Sequence, residues 1–298
     1  MCRRISCSSG CILLITGGRV TVLRRPVTGG YCVNWELLTA PEFERAARKC
    51  KGVCLLPIGV LEKHGDHLPL GQDVIFSHAI ATLAAQKELA IVFPQYYFGQ
   101  IYEAKHQPGT IAIRSELLLS ILESICDEIS RNGLKKIILV NGHGGNSKML
   151  PYFCQLMLER EKDYMVFFSE VYLGSPATNK LFKAKVDEHA GEKETSCMLV
   201  LRPELVKAGK TGNYGMPKER LAKLKKVGLY SGILWYSDHP GHYCSDGTPG
   251  TLAKGEALVR ANVSHLAEQI RTVKRDTTTM RLHSEFYERA NKPHTRSS

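Results

Sequence analysis

The run GVCLLPIGV, residues 52–60, carries no charged side chain. A short apolar run of this kind reads as a buried strand. Helical spacing follows it over 74–88, where Phe76, Ile80, Leu83 and Ala84 share one face. AIVFPQYYFG (90–99) carries the next strand. From Ser115 to Arg131 the residues Leu118, Ile121, Leu122, Ile125 and Ile129 form an apolar stripe, and Gly133 stands where that helix should end. KKIILVN (135–141) and YMVFFSE (164–170) read as two further strands, with a helix from about Lys148 to Arg160 between them. Strands alternating with helices imply right-handed crossovers. The expected fold is α/β, a single-domain three-layer sandwich with a mainly parallel central sheet. No repeat or low-complexity linker divides the chain. One domain is expected over 30–273, closing with a helix near Leu252 to Arg271, with an extension at 1–29 and a polar, peripheral tail at 274–298.

The function classes narrow with charge and cysteine usage. A net charge of +11 allows a polyanion partner. However, no basic motif interleaved with aromatics is present. Arg220, Lys223, Lys225 and Lys226 in RLAKLKKVG read as the solvated side of a helix. No nucleic-acid partner is expected, and a basic binding protein is the rival class. The 10 cysteines form no C-x-x-C pair, and several lie in apolar runs. That pattern fits a reduced, cytoplasmic protein. The early cysteines at 2, 7 and 11 lack a later pair to complete a zinc set. The apolar stretch Cys11 to Thr16 is too short for a secretion signal, and no run is long enough to cross a membrane.

In open α/β sheets, sites gather beyond the carboxyl ends of the strands. PIGVLEKHGDHLPLGQD (57–73) places Glu62, His64 and Asp73 after the first strand. NGHGGN (141–146) places His143 after the third, among glycines that permit close backbone approach. EHAGEKETS (188–196) holds His189, Glu192 and Glu194 at a helix start. The helix dipole alone favours acidic residues there, and each residue taken singly has a structural explanation. Three such clusters together point to Zn, Mn or Fe, and a shared carboxylate points to two ions. The glycines around His143 could instead cradle a phosphate, although no P-loop pattern is present.

The four motifs PIGVLEKHGDHLPLGQD, HQPGTIAI, VNGHGGN and EHAGEKETS resemble the creatininase (creatinine amidohydrolase) family over residues 50–202, with a weaker echo at DGTPGTLAKGEA (246–257). The resemblance implies a creatininase-like fold, a binuclear centre and hydrolysis of a linear or cyclic amide. It also implies a homo-oligomer, often a hexamer. Carried over, Glu62 and His64 are terminal ligands to different ions, Asp73 is the bridge and His143 a further ligand. The family's namesake has a Glu two residues after the loop histidine. This chain has Gly145, and Glu194 is the candidate for that place. His189 falls on a catalytic or substrate-side histidine, with Glu192 as the alternative acid or as an alternative last ligand.

The expected chemistry is attack by a metal-activated hydroxide, with a nearby acid protonating the leaving nitrogen. A formamide hydrolase or small peptidase of a cofactor pathway is the rival within the enzyme class. Asp66 and His67 are expected to orient ligands. His106 is either pocket-lining or a surface turn residue. Asp238, His239 and His242 in SDHPGHYCSDG are explained by an exposed loop, with a contribution to substrate specificity as the alternative. The namesake's pocket uses tryptophans near the third cluster. This chain has only Trp35 and Trp235, so Tyr164, Phe167 or Tyr172 are candidate replacements.

Overall fold

The computed structural model describes residues 4–6, 11–16, 19–24, 32–171, 176–184, 187–207 and 217–293. The chain divides into two compact units, Met1–Cys32 and Val33–Ser298. In the first, β1 (Arg4–Ser6), β2 (Cys11–Thr16) and β3 (Arg19–Arg24) form an antiparallel sheet in that order. The early Cys2 and Cys7 lie outside the described residues.

The second unit is built on a four-stranded parallel sheet of order β5-β4-β6-β7. Its strands are β4 (Val53–Ile58), β5 (Ile91–Val92), β6 (Lys136–Asn141) and β7 (Met165–Glu170). All of β4 is buried, as a parallel strand covered on both faces must be. Side chains alternate between the two faces. Val53, Leu55, Ile138 and Val140 meet one helical layer: α2 (Gln72–Lys87), α6 (Glu192–Leu201) and α9 (Leu252–Arg275). Cys54, Leu56, Ile58, Ile137 and Leu139 meet the other: α1 (Ala40–Lys49), α3 (Ser115–Arg131) and α4 (Asn146–Leu156). This is the expected three-layer sandwich. Short helices α5 (Pro176–Asn179), α7 (Ala222–Lys226) and α8 (Leu234–Asp238) complete it.

Local chemistry explains where elements start and stop. A Thr39/Glu42 capping box opens α1. Gly133, at φ +86°, follows the end of α3, and Leu134 N–H bonds back to Ile129 O. The strand expected over 90–99 shrinks to two residues. Leu55 O accepts from Phe93 N, and Gly59 N donates to Tyr96 O, so Pro57, between them, faces the same neighbour without an N–H. Pro94 is equally unable to donate. Two residues of the expected stripes, Leu83 and Ile121, are exposed. The segment expected as a polar tail instead forms α10 (Thr278–Ala290), which buries His283 and Tyr287. Cys50, Cys54, Cys126, Cys154, Cys197 and Cys244 are free thiols, and no helix among the described residues is long and apolar enough to cross a membrane.

The α6–α9 crossing depends on a glycine. A Cβ at Gly255 would lie 1.9 Å from the backbone oxygen of Ser196. Gly255→Ala would gain about 1 kcal/mol of helix propensity. Pushing the helices apart should outweigh that gain, since overpacking costs about 1–3 kcal/mol or more. Its urea midpoint should therefore fall below that of the unmodified protein. A midpoint at or above it would show that the crossing yields freely.

Candidate metal centre

The carboxyl ends of the strands are level. Ile58 pairs with Asn141, and Asn141 with Glu170. The loop after β4 carries Glu62 and His64, the first turn of α2 carries Asp73, and the loop after β6 carries His143. All four are buried. Asn141 holds the second loop in place: its Oδ1 accepts from His143 N at 3.1 Å, and its Nδ2 donates to Glu170 at 2.9 Å.

The tautomers of the two histidines follow from their carbonyl partners. His143 Nε2 lies 2.9 Å from Gln100 O, and a carbonyl can only accept, so that nitrogen carries the proton. In the neutral ring Nδ1 is then a lone pair, and it faces Glu62 Oε1 at 2.7 Å and Asp73 Oδ2 at 3.0 Å. Neither of those oxygens has a hydrogen bond of acceptable geometry, short as the contacts are. His64 shows the same logic in reverse. Its Nδ1 donates to Glu62 O at 3.2 Å, and its Nε2 faces Asp73 Oδ1 at 3.0 Å and Glu194 Oε2 at 3.8 Å. Lone pairs packed this closely repel unless each imidazole takes a second proton or a cation sits among them. Burial opposes charge on His64, but Asp73, Glu194 and Glu62 outweigh it and push the ring up to about 10. Burial likewise opposes charge on His143, and Glu62 and Asp73 raise it well above its ordinary value. Nitrogen and carboxylate donors in this arrangement suit a divalent metal.

The third cluster separates its two glutamates. Glu194, in the first turn of α6, joins the centre, and its Oε2 accepts from Ala190 N at 2.6 Å. Burial pushes its carboxyl up to about 8. Glu192 is turned away. Its Oε2 accepts from the amides of Lys183 and Ala184 at 2.9 and 3.0 Å, and its Oε1 meets Lys254. Burial works against its charge, but Lys254 and the amides hold its carboxyl below the usual range. Neither the acid role nor the ligand role expected of Glu192 is compatible with those partners. His189 stays with the centre, its ring centroid 4.4 Å from that of His64, and its Nε2–H donates to Lys63 O at 2.7 Å. Burial pushes the ring down to about 3. The space a side chain at Gly145 would fill is taken: a Cβ there would stand 2.5 Å from both His143 Nε2 and Gln100 Oε1.

Several outer residues differ from expectation. Asp66 is on the surface, 51 % exposed, beside Lys63 at 3.6 Å. His67 is buried and meets Thr195 Oγ1 at 2.8 Å, tying the first loop to α6. His106 is exposed and meets Pro240 O at 2.8 Å. Asp238, His239 and His242 are buried, not exposed. His242 belongs to the centre. Trp235 Nε1–H donates to His242 Nδ1 at 3.1 Å, and an indole can only donate. The proton of His242 therefore sits on Nε2 and is given to Glu62 Oε2. This residue adopts φ +51°, an unfavourable conformation of the kind found where a site needs a side chain aimed. Its signal was a Pro-Gly turn flanked by two histidines. Tyr164 and Phe167 pack in the core layers and do not line the centre, and Tyr172 lies outside the described residues. Trp235 is the aromatic beside it, 6.0 Å from the ring of His189.

The family model described as Creatininase: Creatinine amidohydrolase matches residues 36–270. The chain belongs to the creatininase family. Among its creatininase-family relatives, the creatinine amidohydrolase of Pseudomonas putida is 31 % identical over 188 residues, covering 57 % of this chain and 72 % of the relative. The mycofactocin precursor peptide peptidase of Mycolicibacterium smegmatis is 28 % identical over 232 residues, covering 73 % and 83 %. The crystal structure of a creatinine amidohydrolase homologue from Bacteroides fragilis matches with a TM-score of 0.72 at 26 % identity, over 82 % of this chain and 97 % of that one. A manganese creatininase matches with a TM-score of 0.69 at 25 % identity, over 82 % and 99 %. The chain is thus a hydrolase of the creatininase family, with the family's fold.

Proposed function

We propose that this protein is a metal-dependent amidohydrolase that cleaves a linear or cyclic amide C–N bond at a centre of two divalent ions, Zn, Mn or Fe. One observation carries the reading: Asp73 presents Oδ1 to His64 and Oδ2 to His143, each at 3.0 Å. A carboxylate placed this way can bridge two ions. Glu62 and His143 would complete one position, and His64 and Glu194 the other. Bound there, the ions would lower the pKa of a water and polarise the scissile carbonyl.

The chain's own residues supply the rest. His242 holds Glu62 Oε2, so that Oε1 is the oxygen turned to the centre. His189 rests neutral. It can protonate the leaving nitrogen only with a proton first taken from the attacking water, at the ring nitrogen not committed to Lys63. Its low affinity for that proton makes it a ready donor once charged. The setting proposed is a cytoplasmic homo-oligomer acting on a small amide.

Metal analysis of the purified protein, and a screen against creatinine, lactams, formamides and short peptides, test the reading. About two ions per chain are expected at this centre, with turnover lost on chelation. With Trp235 as the aromatic beside the centre, creatinine should be slower than at least one other amide in the screen. Activity that survives complete metal removal would overturn the mechanism. Creatinine as the best substrate would overturn the specificity.

A further inference from the structure

A second cluster of donors lies outside this centre. Cys244 is fully buried, and its Sγ is 3.8 Å from Glu188 Oε2. His239 is 4 % exposed, and its Nε2 is 4.0 Å from the same oxygen. One ligand atom from each of the three lies within 4.8 Å of the others. The ring of His239 makes no hydrogen bond among the described residues, and its Nδ1 is buried without a partner. The nitrogen turned to Glu188 is Nε2, which makes no hydrogen bond among the described residues, so the ring with its proton on Nδ1 offers a lone pair there to a cation.

The three positions are held by backbone. His189 and Cys244 exchange N–H···O bonds, both at 3.3 Å, which sets Cys244 beside Glu188. His239 N donates to Trp235 O at 2.8 Å, and its ring lies against that indole, tilted by 51° with centroids 4.6 Å apart. Tetrahedral zinc with bonds of about 2.0–2.3 Å keeps its donors about 3.3–3.8 Å apart. The separations of 3.8 and 4.0 Å to Glu188 lie close to that range, and the Glu188 side chain is 61 % exposed.

We infer that Glu188, His239 and Cys244 form a further metal site, separate from the catalytic ligands, for a thiophilic ion of the Zn(II) class. Thiolate and imidazole select such ions over Mg or Ca. The consequence would be mechanical. An ion there ties the segment that carries Trp235 and His242 to the segment that carries His189.

Cobalt distinguishes this site from the catalytic one, whose donors are nitrogen and oxygen only. The full-length protein, stripped with chelator and refilled with Co(II), should show a thiolate-to-cobalt charge-transfer band. Cys244→Ser should lose that band and about one ion per chain, and keep the remainder. Glu188→Gln, at an exposed side chain, should keep the fold and weaken the band. Absence of the band in the unmodified protein, or its persistence in Cys244→Ser through another cysteine, overturns the inference. So does equal cobalt content in the two proteins. None of these readouts depends on turnover.

Discussion

Asp73→Ala should leave the full-length protein with far less bound metal than Asp66→Ala. Asp73 is 1 % exposed and offers one oxygen to each of the two lone-pair histidines. Removing it takes a donor from both ion positions at once. The loss of turnover should exceed the about 10–100-fold that loss of an outer hydrogen-bond partner costs. Asp66 is a matched control, because it belongs to the same loop and faces solvent beside Lys63. Elemental analysis and circular dichroism on both variants decide the matter. Unchanged metal occupancy in a folded Asp73→Ala would remove Asp73 from the centre.

His189→Ala should keep its fold and its metals and lose about 10²–10⁴-fold in kcat, the range for a residue that moves a proton in the transition state. The ring commits its Nε2 to Lys63 O, so it does not need a metal bond to stay in place. The loss should shrink for substrates with acidic leaving groups, which need less protonation. A loss equal across leaving groups, or a fall in bound metal, would move His189 to binding or ligation. Glu192 is not placed to take over, since it is occupied by Lys254 and two amides.

Much of this centre was legible from one rule, that sites in open α/β sheets gather at the carboxyl edge. Two strand exits with His and carboxylate residues were enough to bring Glu62, His64, Asp73 and His143 together. Glu192 and Glu194 could not be told apart in the same way. They lie two apart on one helix and so face different ways, and only the position of Lys254 on α9 shows which faces the centre. His242 was missed because its loop reads as polar and therefore exposed. Its burial depends on Trp235 and on long-range packing against Glu62, which no local pattern encodes. The length of β5 was misjudged for a related reason. The aromatic-rich stretch continues to residue 98, but Pro57 on the facing strand lacks the N–H that pairing there needs.

That shortened strand also protects the molecule from its own kind. β5 is one of the two edges of the sheet, and edges with free ladders invite edge-to-edge association between chains. Here Val92 N already donates to Val33 O, at 2.8 Å, and Asn34 bridges to Val92. Beyond that point Pro94 interrupts any row of donors. A neighbouring chain seeking to extend the sheet at β5 finds two residues, one of them already engaged, and then a backbone that cannot continue the pattern.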